Sequence, residues 1–267
     1  MDVQKLLLKT GPTFDSVHLE YTYDADPELL LRAWTRGAEK RAEGDENSRF
    51  SIEFRSQSGQ AEGIQRRTSS IWYRKPNCWR EERVTSTNGT SVHIVCNQES
   101  SDYLSWLRTL ITTRRRPAGV GDGFTSGVTE RLVPDSLLTP DTRTAEELAR
   151  DTILLSPPFG DAGWEIQTMG RGMHRRRDAL LMNAKWIGEG HAPTKAWRSI
   201  DDYRLTVDSE RGTLLRCEGI VDDQPAVVID ASLVEFDLLI PDSIFSFEPP
   251  AGTRIVWARP SWPRGKS

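Results

Sequence analysis

Two short runs of basic residues are the clearest candidates for a binding site in this sequence. They span Arg114–Arg116 and His174–Arg177, and Arg80 adds a guanidinium group in another charged stretch. A guanidinium group binds a carboxylate or a phosphate through two parallel hydrogen bonds. Two interpretations stay open: the runs are solvated loops, or they dock an anionic group such as a lipid phosphate or an acidic protein face. The candidates for that contact are Arg80, Arg114, Arg115, Arg116, Arg175, Arg176 and Arg177.

The motifs of the common enzyme classes are missing from the sequence. Residues 119–123, GVGDG, lack the Lys-Ser/Thr pair that a phosphate-binding loop requires. The four histidines are far apart, none belongs to an HExxH motif, and no GxSxG nucleophile motif occurs. Glu81 and Glu82 are consecutive, so on a strand their carboxylates point to opposite faces. The sequence therefore predicts a protein that is not an enzyme, with no metal site and no cofactor.

Composition and charge narrow the class of protein further. The chain has 267 residues, a net charge of −4 and a pI near 5.7. Nucleic acid is not the expected partner, because proteins that bind it usually carry a basic surplus. No apolar run approaches the roughly 20 residues of a membrane span, and the first residues do not form a secretory signal. The expected location is the cytoplasm, or an extracytoplasmic space if a signal has been removed.

The three cysteines bear on the redox compartment. Cys78, Cys96 and Cys217 are widely spaced and form no CxxC motif. Cys78 and Cys96 fall in neighbouring predicted strands, but the pattern favours free thiols in a reducing compartment.

Alternation of apolar and polar residues predicts strands in the first hundred residues. Residues 14–24 and 49–56 alternate in this way, and between them 26–44 forms a helix with Asp26 as N-cap and Pro27 at the first helical position. Residues 69–98 form a three-stranded antiparallel meander, in which Asn88-Gly89 is a strong hairpin signal.

The rest of the chain has a helical middle followed by more strands. Residues 102–116 continue a strand and then become helical, and 144–155 form a helix whose Thr144 and Glu147 are spaced for a capping box. From 163 onward strands resume, the last of them at 244–249. This order predicts an α+β fold, in which a large antiparallel sheet carries helices over one face.

Five motifs follow one another along the chain: an opening QKLLLKTGPTFDSVHLEY, a strand pair WYRKPNCWREE, the strand GRGMHRRRDALLMNAKWI, the hairpin DYRLTVDSERGTLLRCEG and the ending FSFEPPAGTRIV. In this order they resemble the LolA/LolB/RseB superfamily of lipoprotein carriers and sigma-factor regulators. The resemblance implies a half-barrel, an incomplete curved antiparallel sheet whose concave face is covered by helices over an apolar cavity. Residues 1–267 then form a single LolA-like domain with a flexible Gly/Arg-rich insertion near 106–141.

The resulting functional hypothesis is a non-enzymatic protein that holds a lipid or an acyl chain between a curved sheet and a helical lid. Burial of a C14–C16 chain contributes on the order of 10 kcal/mol before the costs of binding. The alternative is a protein-interaction or sensor module of the sigma-factor regulator type, whose cavity is packed shut. The cavity candidates are Leu19, Tyr21, Phe50, Ile52, Phe54, Trp72, Leu205 and Phe236, and the lid candidates are Leu30, Trp34, Leu148 and Leu154.

Overall fold

The computed structural model describes residues 6–7, 14–43, 64–86, 89–113, 143–160, 163–188, 200 and 202–257. The predicted strand at 49–56 and most of the insertion near 106–141 lie outside these residues. The chain divides into two compact units. Unit 1 comprises Met1–Thr13, Glu20–Thr68 and Arg150–Val234, and unit 2 comprises Phe14–Leu19, Ser69–Ala149 and Glu235–Ser267.

Most of the described residues belong to one sheet of twelve strands. In chain order the strands are β1 Ser16–Ala25, β2 Gln65–Arg74, β3 Cys78–Thr85, β4 Gly89–Cys96, β5 Glu99–Leu104, β6 Thr109–Thr112, β7 Trp164–His174, β8 Arg177–Trp186, β9 Asp202–Asp208, β10 Leu214–Val221, β11 Gln224–Phe236 and β12 Arg254–Trp257. Across the sheet the order is β12-β6-β5-β4-β3-β2-β1-β11-β10-β9-β8-β7. The two end strands do not pair with each other, so the sheet is not closed.

The prediction of a purely antiparallel sheet is wrong at one position. β12 pairs in parallel with β6, from Arg254 opposite Thr109 to Trp257 opposite Thr112. Residues 244–249 were predicted as a strand, but 244 and 245 end a 3₁₀ turn at Asp242–Phe245, and 246–249 run without regular structure toward β12. A parallel neighbour requires such a crossover rather than a tight hairpin.

Two α-helices lie in the described part of the chain, α1 at Pro27–Glu43 and α2 at Ala145–Asp151. Both helix predictions are confirmed at their N-termini. The Asp26 carboxylate accepts hydrogen bonds from the backbone N–H of Glu28 at 2.9 Å and of Leu29 at 3.1 Å, as an N-cap does. Thr144 and Glu147 form the capping box that starts α2, with hydrogen bonds of 2.7 and 3.2 Å. The placement of helices over a concave face stays a prediction.

The predicted meander at 69–98 is confirmed as β2, β3 and β4, but the helical continuation after 102 is wrong. β5 is followed by a 3₁₀ turn at Ser105–Leu107, Arg108 takes a left-handed φ of 46°, and β6 returns antiparallel to β5. Gly89 opens β4 with φ of 71°, and a Cβ there would lie 2.8 Å from Ser105 Oγ. Gly89 therefore suits both its backbone conformation and the close approach of the 3₁₀ turn.

The cysteine prediction is also wrong in part. Cys78 and Cys96 are directly opposite each other on β3 and β4 and form a disulfide, with their Cα atoms 4.3 Å apart. Cys217 is a free, buried thiol. Cys217 lies inside unit 1, and burial raises the pKa of its thiol. The hairpin register is what brings the first two cysteines together, and cysteine spacing alone does not reveal that register.

Each unit has its own apolar core. In unit 1 the rings of Phe159, Trp164 and Tyr203 lie 4.8 to 5.4 Å apart in edge-on and tilted contacts, and Trp186 packs 5.1 Å from Trp164. Burial raises the pKa of the Tyr203 hydroxyl. In unit 2 the strand side chains cluster on both faces of the sheet, and one of these clusters builds the candidate site.

Candidate functional site

An apolar pocket of about 160 Å³ lies within unit 2, over one face of β4, β5, β6 and β12. Six of its lining residues are apolar and two carry hydroxyl groups. The lining residues are Ile94, Ser101, Leu110, Thr112, Phe247, Pro249, Ile255 and Trp257. Its volume is close to that of an engineered apolar cavity of about 150 Å³ that binds benzene.

Strand register explains why these residues meet. Side chains directly opposite one another on paired strands share a face. One such row across the four strands is Ile94, Ser101, Thr112 and Trp257, and the next is Val92, Tyr103, Leu110 and Ile255. The two adjacent rows form the floor of the pocket. The floor is therefore built from four strands whose residues come from two distant parts of the chain.

The segment that follows the 3₁₀ turn at Asp242–Phe245 forms the wall opposite this floor. Phe247 packs against the buried cluster of Val92, Ile94, Tyr103 and Leu110, and its ring lies 4.9 Å from that of Tyr103. Ser101 Oγ donates a hydrogen bond to Thr112 Oγ1 at 3.0 Å. Because these hydroxyls bond to each other, an apolar group can occupy the pocket without leaving them unpaired.

Arg80, a candidate for anion contact, instead holds this wall in place. Its guanidinium donates to the carbonyl oxygens of Ile244 at 2.7 Å and Ser246 at 2.9 Å, and it also pairs with Glu82. The Arg80 side chain is only 15% exposed. Its donors are thus engaged within the chain, which disfavours contact with an external anion.

The other basic candidates lie in a hairpin turn of unit 1. Arg175 and Arg176 are the two turn residues between β7 and β8, with φ of 49° and 67°. Arg177 bonds Asp208 at 2.5 Å, and the more exposed Arg175 lies 3.7 Å from Asp230. The candidates Arg114, Arg115 and Arg116 are outside the described residues.

The predicted cavity residues that the structure describes do not line this pocket. Leu19 and Leu205 are closely packed, with 0% and 2% exposure. Trp72 stacks on His18 at 4.8 Å, Phe236 lies 5.1 Å from Phe14, and Tyr21 is half-buried. The remaining candidates, Phe50, Ile52 and Phe54, lie outside the described residues.

The predicted lid residues differ in their exposure, and their role as a lid stays a prediction. Leu148 and Leu154 are buried, at 6% and 0% exposure, and Leu30 is half-buried. The Trp34 side chain lies outside the described part of the structure.

A second pocket, of about 230 Å³, lies in unit 1 and is more polar. It is lined by Met169, Leu181, Met182, Asn183, Arg204, Leu205, Thr206, Arg216 and Glu218. Arg216 bonds Glu218 at 2.6 Å and Asp230 at 3.1 Å, and these carboxylates help to raise the pKa of its guanidinium. Because charged side chains that pair with one another line this pocket, it is a weaker candidate for an apolar ligand.

A buried acid–histidine row is a feature that the sequence did not reveal. Glu81, His93 and Asp102 are consecutive partners across β3, β4 and β5. His93 Nδ1 contacts Asp102, while Arg83 donates two hydrogen bonds of 2.6 Å to Glu81. His93 Nε2 is buried, and no described residue hydrogen-bonds it. Glu81 and Glu82 do point to opposite faces, and only the strand register shows which groups meet Glu81.

A metal-binding cluster and a membrane-spanning helix are both absent from the described residues. These residues contain no group of three or more His, Cys, Asp or Glu side chains placed to hold a metal ion. Among their helices, none is both long enough and apolar enough to span a membrane.

No protein-family model matches the sequence, and no curated protein matches it. Solved structures do match, and the chain is similar to MucB. That match has 10% identity and a TM-score of 0.47, and it covers 96% of this chain but only 64% of the MucB chain. The chain thus spans less than two thirds of the length of that protein.

Two further matches belong to the group that the motif order had indicated. The lipoprotein LppX of Mycobacterium tuberculosis is 10% identical, with a TM-score of 0.36 and coverage of 82% of this chain and 86% of LppX. A LolA superfamily protein from Nitrosomonas europaea is also 10% identical, with a TM-score of 0.28 and coverage of 92% and 96%. A LolA superfamily protein, which carries the name of the group that the motifs resemble, is therefore among the solved structures that match.

Proposed function

We propose that this chain is a non-enzymatic binding protein. Its apolar pocket over β4, β5, β6 and β12, here named the β4–β12 pocket, receives an apolar group of the ligand. The proposal rests on this pocket, which has a volume of about 160 Å³ and six apolar lining residues. Its two hydroxyl groups, on Ser101 and Thr112, are hydrogen-bonded to each other. Apolar surroundings with few polar groups are what small-ligand sites generally offer.

The volume sets the size of the bound group. Pockets for whole drug-sized ligands measure roughly 300–1,000 Å³, and this one holds a group about as large as benzene. A C14–C16 chain, the ligand predicted from the sequence, therefore enters only with its terminal carbons. Alternatively, a branched or aromatic side chain of a partner protein enters completely.

We also propose an oxidising, extracytoplasmic location, in place of the cytoplasm. The Cys78–Cys96 disulfide supports it, because such bonds persist outside the reducing cytosol.

Ligand-observed NMR with toluene and with sodium dodecanoate tests the binding proposal on the full chain. Ser101→Leu adds side-chain volume on the pocket floor and is expected to abolish both signals, whereas Val84→Leu at an exposed position outside the pocket leaves them unchanged. Far-UV circular dichroism verifies folding of each variant. If Ser101→Leu does not fold, Ile255→Ala removes a half-exposed lining residue and is expected to weaken binding. Absence of toluene binding to the unmodified chain would overturn the proposal.

Native mass spectrometry with organic extraction identifies what the chain carries when purified. A bound species in the lipid mass range that is lost on extraction and recovered on addition identifies an acyl ligand.

A further inference from the structure

We propose that the outer edge of β12 docks an extended acidic segment of a partner protein, which adds a strand there and places one apolar side chain in the β4–β12 pocket. This inference rests on the proposed function, because it uses the same pocket, and it names the class of partner. Three observations carry it: an edge strand without a described neighbour, a pocket that opens beside it, and basic groups without ion-pair partners.

The first observation is the position of β12 in the sheet. Within the described residues β12 pairs only with β6, and it ends the strand order. In an edge strand the N–H and C=O groups of alternate residues point away from the sheet and can bond an added strand. Peptide recognition by strand addition uses such edges: main-chain bonds supply affinity, and pockets for alternate side chains supply specificity.

The second observation is that β12 itself supplies part of the pocket. Ile255 and Trp257 line the pocket from the same face of β12, opposite Leu110 and Thr112. Side chains of an added strand on that face lie about 5 Å from those of β12. One of them therefore reaches the pocket, which has the volume of a single leucine or phenylalanine side chain rather than of a long acyl chain.

The third observation is the charge at the start of β12. The Arg254 backbone N–H donates to the carbonyl oxygen of Arg108 at 2.9 Å, which brings the two backbones together, while Arg254 lies directly opposite Thr109. Arg108 is exposed and Arg254 half-buried, and neither guanidinium forms an ion pair within the described residues. The charge complementary to this pair is a carboxylate, and guanidinium groups bind carboxylates with two hydrogen bonds.

Glu248 adds a constraint on the order of residues in the partner. It is exposed and lies between the lining residues Phe247 and Pro249, so it repels a second acid near the pocket. The complementary segment therefore has its acidic residues near Arg254 and its apolar side chain within about three residues of them, near Trp257.

Fluorescence anisotropy on the full chain tests this proposal with a labelled decapeptide. The probe has a Glu-Glu pair and a leucine two residues later, in a background of threonine and valine. Binding is expected to fall about tenfold when the peptide leucine becomes alanine or its glutamates become lysines. The same loss is expected for the chain with Arg108→Glu and Arg254→Glu, and added salt weakens binding. Arg171→Glu, on the exposed edge strand β7, is the matched control and leaves affinity unchanged.

The outcomes separate this inference from the proposed function. Toluene binding without peptide binding, or equal peptide affinity for the Arg108→Glu/Arg254→Glu chain, overturns the docking site and leaves the proposed function standing. Peptide binding that is unchanged when dodecanoate saturates the pocket shows that no peptide side chain enters it, and overturns the docking site. Failure of toluene and peptide alike overturns both.

Discussion

Removal of the Cys78–Cys96 disulfide is expected to lower the free energy of unfolding by about 3 kcal/mol. The two cysteines are 18 residues apart in sequence, and the chain-entropy relation gives roughly 3 kcal/mol at 25 °C for closing a loop of that length. The perturbation is either a mild reductant or the double substitution Cys78→Ser with Cys96→Ser.

Urea unfolding measures this loss of stability. With a slope of about 3 kcal/mol per molar urea, the upper end for small proteins, the midpoint is expected to move down by about 1 M. Cys217→Ala is the control, because this buried thiol takes no part in the bond, and the reductant must have the same effect in that variant.

Counting thiols tests the bond itself. Under denaturing, non-reducing conditions an alkylating reagent is expected to modify Cys217 alone, and after reduction all three cysteines. Three modified cysteines without a reductant would refute the disulfide. Equal unfolding free energies with and without reductant would refute the reasoning about loop closure.

Three further changes have expected outcomes. Asp208→Ala removes a carboxylate that is only 3% exposed and that accepts hydrogen bonds from Arg177 and two backbone N–H groups. Urea unfolding is expected to show that the free energy of unfolding falls by about 3–5 kcal/mol. A decrease below about 1 kcal/mol would contradict the ion-pair geometry. Gly212→Ala meets a left-handed φ of 76° and a carbonyl oxygen 2.6 Å from the new Cβ, whereas Gly252→Ala meets a φ of 81° in open space; the first is expected to lower the melting temperature clearly more than the second. The hydrogen bond from Arg66 lowers the pKa of Asp24 below its ordinary 3.8, so this pair contributes stability above that pH and loses it as the pH falls through the folded-state pKa. Asp24→Asn is expected to reduce the acid dependence of stability slightly, since the Arg66 side chain is largely exposed and solvent screens the pair.

The elements that could be predicted from the sequence are those with local signals. α1 follows from Asp26-Pro27 and the apolar stripe behind them, and the β2–β4 meander follows from alternation around a hairpin turn. Each signal lies within a few residues of the structure that it specifies. The antiparallel strands of the second half were recognisable for the same reason.

The pocket could not be predicted in this way. Its floor depends on β6 and β12, strands of four residues that pair in parallel from distant parts of the chain. Short apolar runs of this kind do not distinguish strand from helix, and nothing local specifies a distant partner. The acid–histidine row and the disulfide depend on register between strands in the same way, so residue types alone indicated neither.

The parallel pairing of β12 with β6 also determines when the pocket can form during synthesis of the chain. Roughly 145 residues of chain are synthesised between Thr109 and Arg254, which takes about 7–30 s at 5–20 residues per second. During that interval β6 lacks its final neighbour, and the pocket lacks Phe247, Ile255 and Trp257. Competence to bind therefore arises only after Trp257 has been synthesised, when most of the sheet has had time to form, and a shorter nascent chain has no complete pocket in which to trap a ligand prematurely.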